Sequence, residues 1–119
     1  DCGGSWLLPR LVGRARAMAL AMTGDKIGAE EAERIGLIWR CVDDAALHDQ
    51  ALALATRLAA MATAALAATR SAIDASLPLD FFEAFGNEAR VQGQLGFAHD
   101  YQEGVAAFLQ KRAPVFKDR

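Results

Sequence analysis

Leu37-Ile38-Trp39-Arg40-Cys41-Val42, bounded by Gly36 on one side and Asp43-Asp44 on the other, is the only stretch of this 119-residue chain that reads as a β-strand. It is short, bulky and partly β-branched, with turn residues at both ends. A single strand cannot satisfy its own backbone donors and acceptors, so it is expected to pair with strands outside this chain. Everything around it reads as helix. The expected fold class is therefore mostly α, with one short strand.

Upstream of the strand, Ala29 to Ile35 reads as a two-turn helix with acids in its first turn, as the helix dipole prefers, and Gly36 as its stop. Arg14 to Met22 is rich in good helix formers and is stopped by Thr23-Gly24-Asp25. Ser5 to Leu11 reads as a helical turn that Pro9 keeps short or bends. Downstream, Asp43 or Asp44 caps a long helix from Ala45 to about Met61, and an alanine-rich helix from about Ala62 to Ala75 follows, with Thr63 as a candidate cap. Ser76-Leu77-Pro78 ends that helix. Asp80 is the next N-cap, for a helix reaching about Leu95 with Phe81, Phe82, Phe85 and Ala89 along one face and Glu83, Glu88 and Arg90 pointing out. Gly96 breaks it. A last helix, from about Asp100 to Arg112, carries Tyr101, Val105 and Phe108 at helical spacing before Pro114. No repeat and no low-complexity linker is present.

A chain of this length is one domain or part of one, and 53% of its residues are hydrophobic, many of them alanine. That composition suits closely packed helices, or a surface that a partner covers. No run of eighteen apolar residues exists, so no membrane span is expected, and no basic segment followed by an apolar one marks a signal peptide. With a net charge of −2 and scattered Lys and Arg, nucleic acid is a poor partner. Cys2 and Cys41 are far apart and share no metal-ligand spacing with His48 or His99, so no metal site is expected. Two reduced thiols in a cytoplasmic protein is the reading preferred over a disulfide. Cys2 as a nucleophile would need a base beside it, and none is local. His48 and His99 read as helix-surface or helix-end residues without local partners.

The opening, Asp1-Cys2-Gly3-Gly4 running into Ser5-Trp6-Leu7-Leu8-Pro9-Arg10-Leu11-Val12-Gly13, carries the candidate chemistry. Adjacent glycines let the backbone take positive φ and approach another group closely just before a helix. A carboxylate there is either an exposed acid or a functional group where loop meets helix.

Four stretches together resemble the crotonase (enoyl-CoA hydratase/isomerase) superfamily. They are Asp1-Cys2-Gly3-Gly4 with Leu8 to Gly13; Ala17-Met18 through Thr23 to Ile27, Ala29 to Ala32 and Ile35 to Ile38; the helical segment beginning at Asp44; and Glu103 through Arg112-Ala113-Pro114-Val115-Phe116. They lie in the family's order and spacing, in what resembles its C-terminal half. The resemblance implies the helical part of an α/β crotonase (ClpP/crotonase-like) fold. Residues 1–43 would end the core, with the active-site turn, short helices and one strand, and residues 44–119 would form the helical trimerisation region. The family's β-spiral half, which supplies the oxyanion hole and most of the acyl-CoA pocket, has no counterpart in these residues. The chain alone is therefore expected to be inactive. Gly28 stands where the family usually has Ser or Thr, at a cost of a few tenths of a kcal/mol.

An Asp immediately before the glycine turn resembles the isomerases. Ser5 to Arg10 resembles the phenylacetate-degradation branch, which isomerises ring-1,2-epoxyphenylacetyl-CoA and shifts enoyl-CoA double bonds. By that resemblance Asp1 is the acid/base, and Gly3 and Gly4 let the turn run beside the acyl chain. Trp6 and Leu7 line the acyl or phenyl pocket or pack in the core. Phe108 and Lys111 reach the CoA nucleotide of a neighbouring subunit, or are a core Phe and a solvated Lys. The implied substrate is an acyl-CoA thioester, with no separate cofactor, in a homotrimer or hexamer. Enoyl-CoA hydratase is the near alternative, and a non-catalytic helical oligomerisation module is the alternative of another class.

Overall fold

The structure is a computed structural model that describes residues 2–118. Its described residues form seven α-helices and no strand. The chain divides into two compact units, Asp1–His48 and Asp49–Arg119.

The first unit holds α1 (Gly4–Val12), α2 (Arg14–Thr23) and α3 (Ala29–Arg34). Its core is Val12, Ala17 and Ile35, with Leu8, Leu20, Ile27 and Leu37 packed against them. Glycine sets each helix end. At the end of α2 the left-handed Gly24 (φ 68°) donates to the Leu20 carbonyl at 3.1 Å. After α3, Gly36 is left-handed (φ 79°) and donates to Glu33, while the Leu37 amide returns to the Ala32 carbonyl at 2.9 Å. This pair of bonds is a Schellman closure, with the apolar residue after the glycine folded onto the core.

Residues 37–42 do not form the expected strand: no partner strand is present among the described residues, and the closure turns several of their amides elsewhere. The Leu37 and Ile38 amides both turn back to Ala32, and the Cys41 amide donates to the Glu33 carboxylate at 2.9 Å. Three donors that a ladder would need are bound to α3 instead. Leu37 enters the core, and Trp39 is 72% exposed.

The second unit begins within α4 (Asp44–Ala59) and continues with α5 (Thr63–Ser76), α6 (Phe81–Leu95) and α7 (His99–Gln110). α4 and α5 meet at a bend of 105°, and among the described residues no single helix is long and apolar enough to cross a membrane. Asp80 caps α6 as expected: its side chain accepts from the Glu83 amide at 2.9 Å, and the Glu83 carboxylate accepts from the Asp80 amide. Thr63 is not the cap of α5. Ala62 holds that position without a side-chain bond, and the Thr63 hydroxyl instead donates to the Asp118 carbonyl at 3.1 Å.

α4, α5 and α6 bury no residue. The Phe81, Phe82 and Phe85 rings lie against one another, at 5.4 Å edge-on and 6.0 Å stacked, but all three are exposed. α7 buries Ala107 and the carboxylate-bearing Asp100.

Candidate functional site

Asp1, the expected acid/base, lies outside the described residues. The next residues make a tight left-handed turn. Cys2 has φ 50° and Gly3 φ 83°, and the Gly3 carbonyl accepts from the Trp6 and Leu7 amides at 3.0 and 2.9 Å. A Cβ on Gly3 would meet Leu7 Cδ1 at 3.6 Å, while one on Gly4 would meet nothing within 4 Å. Gly3 is needed for its backbone angle, and Gly4 simply begins α1. Trp6 and Leu7 are about half exposed, outside the core that Leu8 and Val12 enter. The Arg10 guanidinium lies 3.9 Å over the Trp6 ring and donates to the Trp6 carbonyl, fixing that ring at the surface.

A left-handed backbone costs a non-glycine residue about 1–2 kcal/mol. Among the described residues only Cys2 and Lys111 take it. Such outliers persist where surrounding structure holds them, and they concentrate at functional positions. These two fall at the opening turn and at Lys111, where the sequence puts its candidate sites.

Lys111 closes α7. Its amide donates to the Phe108 carbonyl at 3.2 Å and the Arg112 amide to the Ala107 carbonyl at 3.0 Å, a Schellman closure with lysine where glycine is usual. Phe108 is no core residue: it is 83% exposed, and Ala107 takes the buried position beside it. Tyr101, Val105 and Phe108 share one face, as their spacing implies, and with Val91, Leu95 and Phe116 they line an apolar groove of about 860 Å³ within the second unit.

Two carboxylates on α7 hold the segment beyond it, and neither is legible in the sequence as a site residue. Glu103 takes the Arg112 guanidinium on both oxygens, at 2.6 and 2.9 Å, and the Val115 amide at 2.8 Å. The Arg112 pair, then the Val115 amide, pull its carboxyl down to about 2 against the opposing effect of desolvation. Asp100 takes the Lys117 and Asp118 amides at 2.7 and 3.1 Å, and its own amide donates to the Asp118 carboxylate at 2.8 Å. Burial would raise the Asp100 carboxyl, but the Lys117 amide, the His99 ring and the Asp118 amide outweigh it and leave it lowered.

His99 does have a partner, contrary to expectation, with its Nδ1 3.0 Å from Asp100. His99, Asp100 and Asp118 bring ligand atoms within 4.8 Å of one another. Backbone amides bind both Asp100 oxygens and one of Asp118, so the cluster acts as a clasp on the chain. Cys41 is a poor nucleophile: partial burial and the acids Glu30, Glu33, Asp43 and Asp44 push its thiol up.

The family model for enoyl-CoA hydratase/isomerase matches residues 1–119. The chain belongs to the enoyl-CoA hydratase/isomerase family, within the crotonase superfamily. Over 119 residues it is 49% identical to a probable enoyl-CoA hydratase of Rhodobacter capsulatus, covering all of this chain and 46% of that protein. It is 46% identical to the 1,2-epoxyphenylacetyl-CoA isomerase of Escherichia coli K12, covering 98% of this chain and 44% of that one. The crystal structure of an enoyl-CoA hydratase from Bacillus anthracis superposes with a TM-score of 0.92 at 32% identity, over 98% of this chain and 45% of that one. The chain thus spans a little under half the length of the relatives it matches.

Proposed function

We propose that this chain is the C-terminal part of a CoA-thioester isomerase, acting on an enoyl-CoA double bond or on ring-1,2-epoxyphenylacetyl-CoA. The observation that carries the reading is the opening turn: an Asp directly before a left-handed Cys2-Gly3 corner from which α1 starts at once. Either reaction removes a proton at one carbon and returns one nearby. A single carboxylate can shuttle it once a water-poor site has raised its pKa. The enolate oxygen would be held by two backbone N–H groups from the portion of the relatives' length outside this chain, which leaves these 119 residues alone inactive. Trp6 and Leu7, exposed on α1, would face the acyl or phenyl group, and exposed Phe108 and left-handed Lys111 the CoA nucleotide of a neighbouring subunit. Lysine suits a phosphate as a compact point charge.

Hydratase chemistry is the second reading, favoured by the 49% identity to the Rhodobacter capsulatus protein. One experiment separates the readings. The full-length protein is given an enoyl-CoA in ¹⁸O-water: isomerisation leaves the acyl group unlabelled, whereas hydration labels the product hydroxyl. In the same protein Asp1→Asn is expected to lower kcat by about 10²–10⁴-fold while CoA-thioester binding persists. An Asp1→Asn enzyme with unchanged kcat removes Asp1 from the mechanism, and a full-length protein inert both on every enoyl-CoA and on ring-1,2-epoxyphenylacetyl-CoA leaves only the oligomerisation module.

A further inference from the structure

We infer that Glu103 is the positioning residue for Lys111, holding the left-handed corner from which that lysine leaves α7. A Schellman corner is normally glycine, because a side chain there strains the backbone. Lysine at this corner carries strain that glycine would not; it sets a cation at the C-terminal end of α7, where the dipole favours it, and presents a long charged side chain that glycine could not. Among the described residues its ammonium enters no ion pair, whereas the charge of the neighbouring Arg112 is spent on Glu103. The means of holding the corner are explicit. One Glu103 carboxylate, on a side chain only 16% exposed, binds Arg112 through both guanidinium arms and Val115 through its amide. The residue just after the corner and the residue four beyond it are thereby tied to a single point on α7. Asp100 repeats the device further along at Lys117 and Asp118. The bonds to Arg112 and Val115 hold the chain after Lys111, and with it the corner that sets the direction in which the Lys111 Cβ leaves the backbone.

Glu103's role rests on Lys111 meeting the nucleotide phosphates of a CoA thioester. The test therefore uses four full-length proteins: wild type, Lys111→Ala, Glu103→Gln and the double variant. Each is assayed with an acyl-CoA and with the same acyl group on truncated pantetheine. Lys111→Ala is expected to raise KM for the CoA thioester about tenfold, the size of one charge-assisted contact. KM for the pantetheine thioester and kcat on either should not change. Glu103→Gln should give a smaller loss of the same kind, and the double variant should be no worse than Lys111→Ala, since the two residues act in series. Arg112→Lys, which keeps the charge but loses the fork, is the second variant should Glu103→Gln fail to fold, and it should show the same CoA-selective loss. Losses that add in the double variant, or that fall equally on both substrates, overturn the positioning role while leaving Lys111 on the phosphates. A Lys111→Ala enzyme that treats the two substrates alike removes the phosphate contact itself, and Glu103's role with it.

Discussion

Glu103 and Asp100 spend their charge on backbone amides and one guanidinium, which gives the second unit a defined sensitivity to acid. Glu103 titrates at about 2 in the folded chain against 4.5 ordinarily, and Asp100 below its ordinary 3.8. Both folded values are depressed. The stability they contribute is therefore fully present above the ordinary carboxylate values and is lost as pH falls from there toward about 2. Thermal melts between pH 6 and pH 2 should show the midpoint dropping across that window, and Glu103→Gln should flatten the drop while lowering the neutral-pH midpoint. A variant whose acid limb matches wild type would show that the Glu103 pair contributes nothing to the folded state. None of this is legible in the sequence. Glu103 binds groups nine and twelve residues away and Asp100 groups seventeen and eighteen away, separations at which no local pattern marks a carboxylate as a partner. His99 reads as unpartnered although its partner is the adjacent residue, because the contact depends on side-chain direction and not on spacing.

Among the elements, boundaries set by neighbouring residues are readable and those set by distant ones are not. Gly24 as the stop of α2, Gly36 as the stop of α3 and Asp80 as the cap of α6 each act within a few residues of themselves. The false strand signal comes from the same Gly36. Bulky residues after a glycine look like the start of a strand, yet a Schellman closure also wants an apolar residue there, and it consumes the amides that a ladder requires. Thr63 has the right chemistry for a cap but reaches a carbonyl 55 residues away. The Asp80 cap is testable directly. Asp80→Ala loses the side-chain arm of the box, the bond from the Glu83 amide, and keeps the backbone arm; it is expected to cost about 1 kcal/mol, read as a lower urea midpoint with an unchanged slope. Asp80→Ser should recover most of it. An Asp80→Ala midpoint equal to wild type would mean that packing and not the cap holds the start of α6.

At the scale of the molecule, the apolar content that reads as closely packed helices is for the most part not packed within this chain. Among the described residues five hydrophobic ones are buried, and three of those are alanine, while Phe81, Phe82, Phe97 and Phe108 are each more than 70% exposed. Contiguous apolar surface on this scale marks an interaction site, and the second unit offers both the Phe81–Phe82–Phe85 cluster and the groove along α7. In the full-length protein these aromatics are accordingly expected to be covered, and the homotrimer or hexamer that the family resemblance implies is the assembly proposed to cover them. Phe81→Asp with Phe82→Asp leaves the Asp80–Glu83 box intact and changes only exposed side chains, so α6 should persist by circular dichroism. Sedimentation should then show the assembly shifted toward smaller species in a concentration-dependent way. Wild-type protein that sediments as a monomer at high concentration would defeat the expectation outright. A double variant that keeps the wild-type mass would place the subunit contacts away from this cluster.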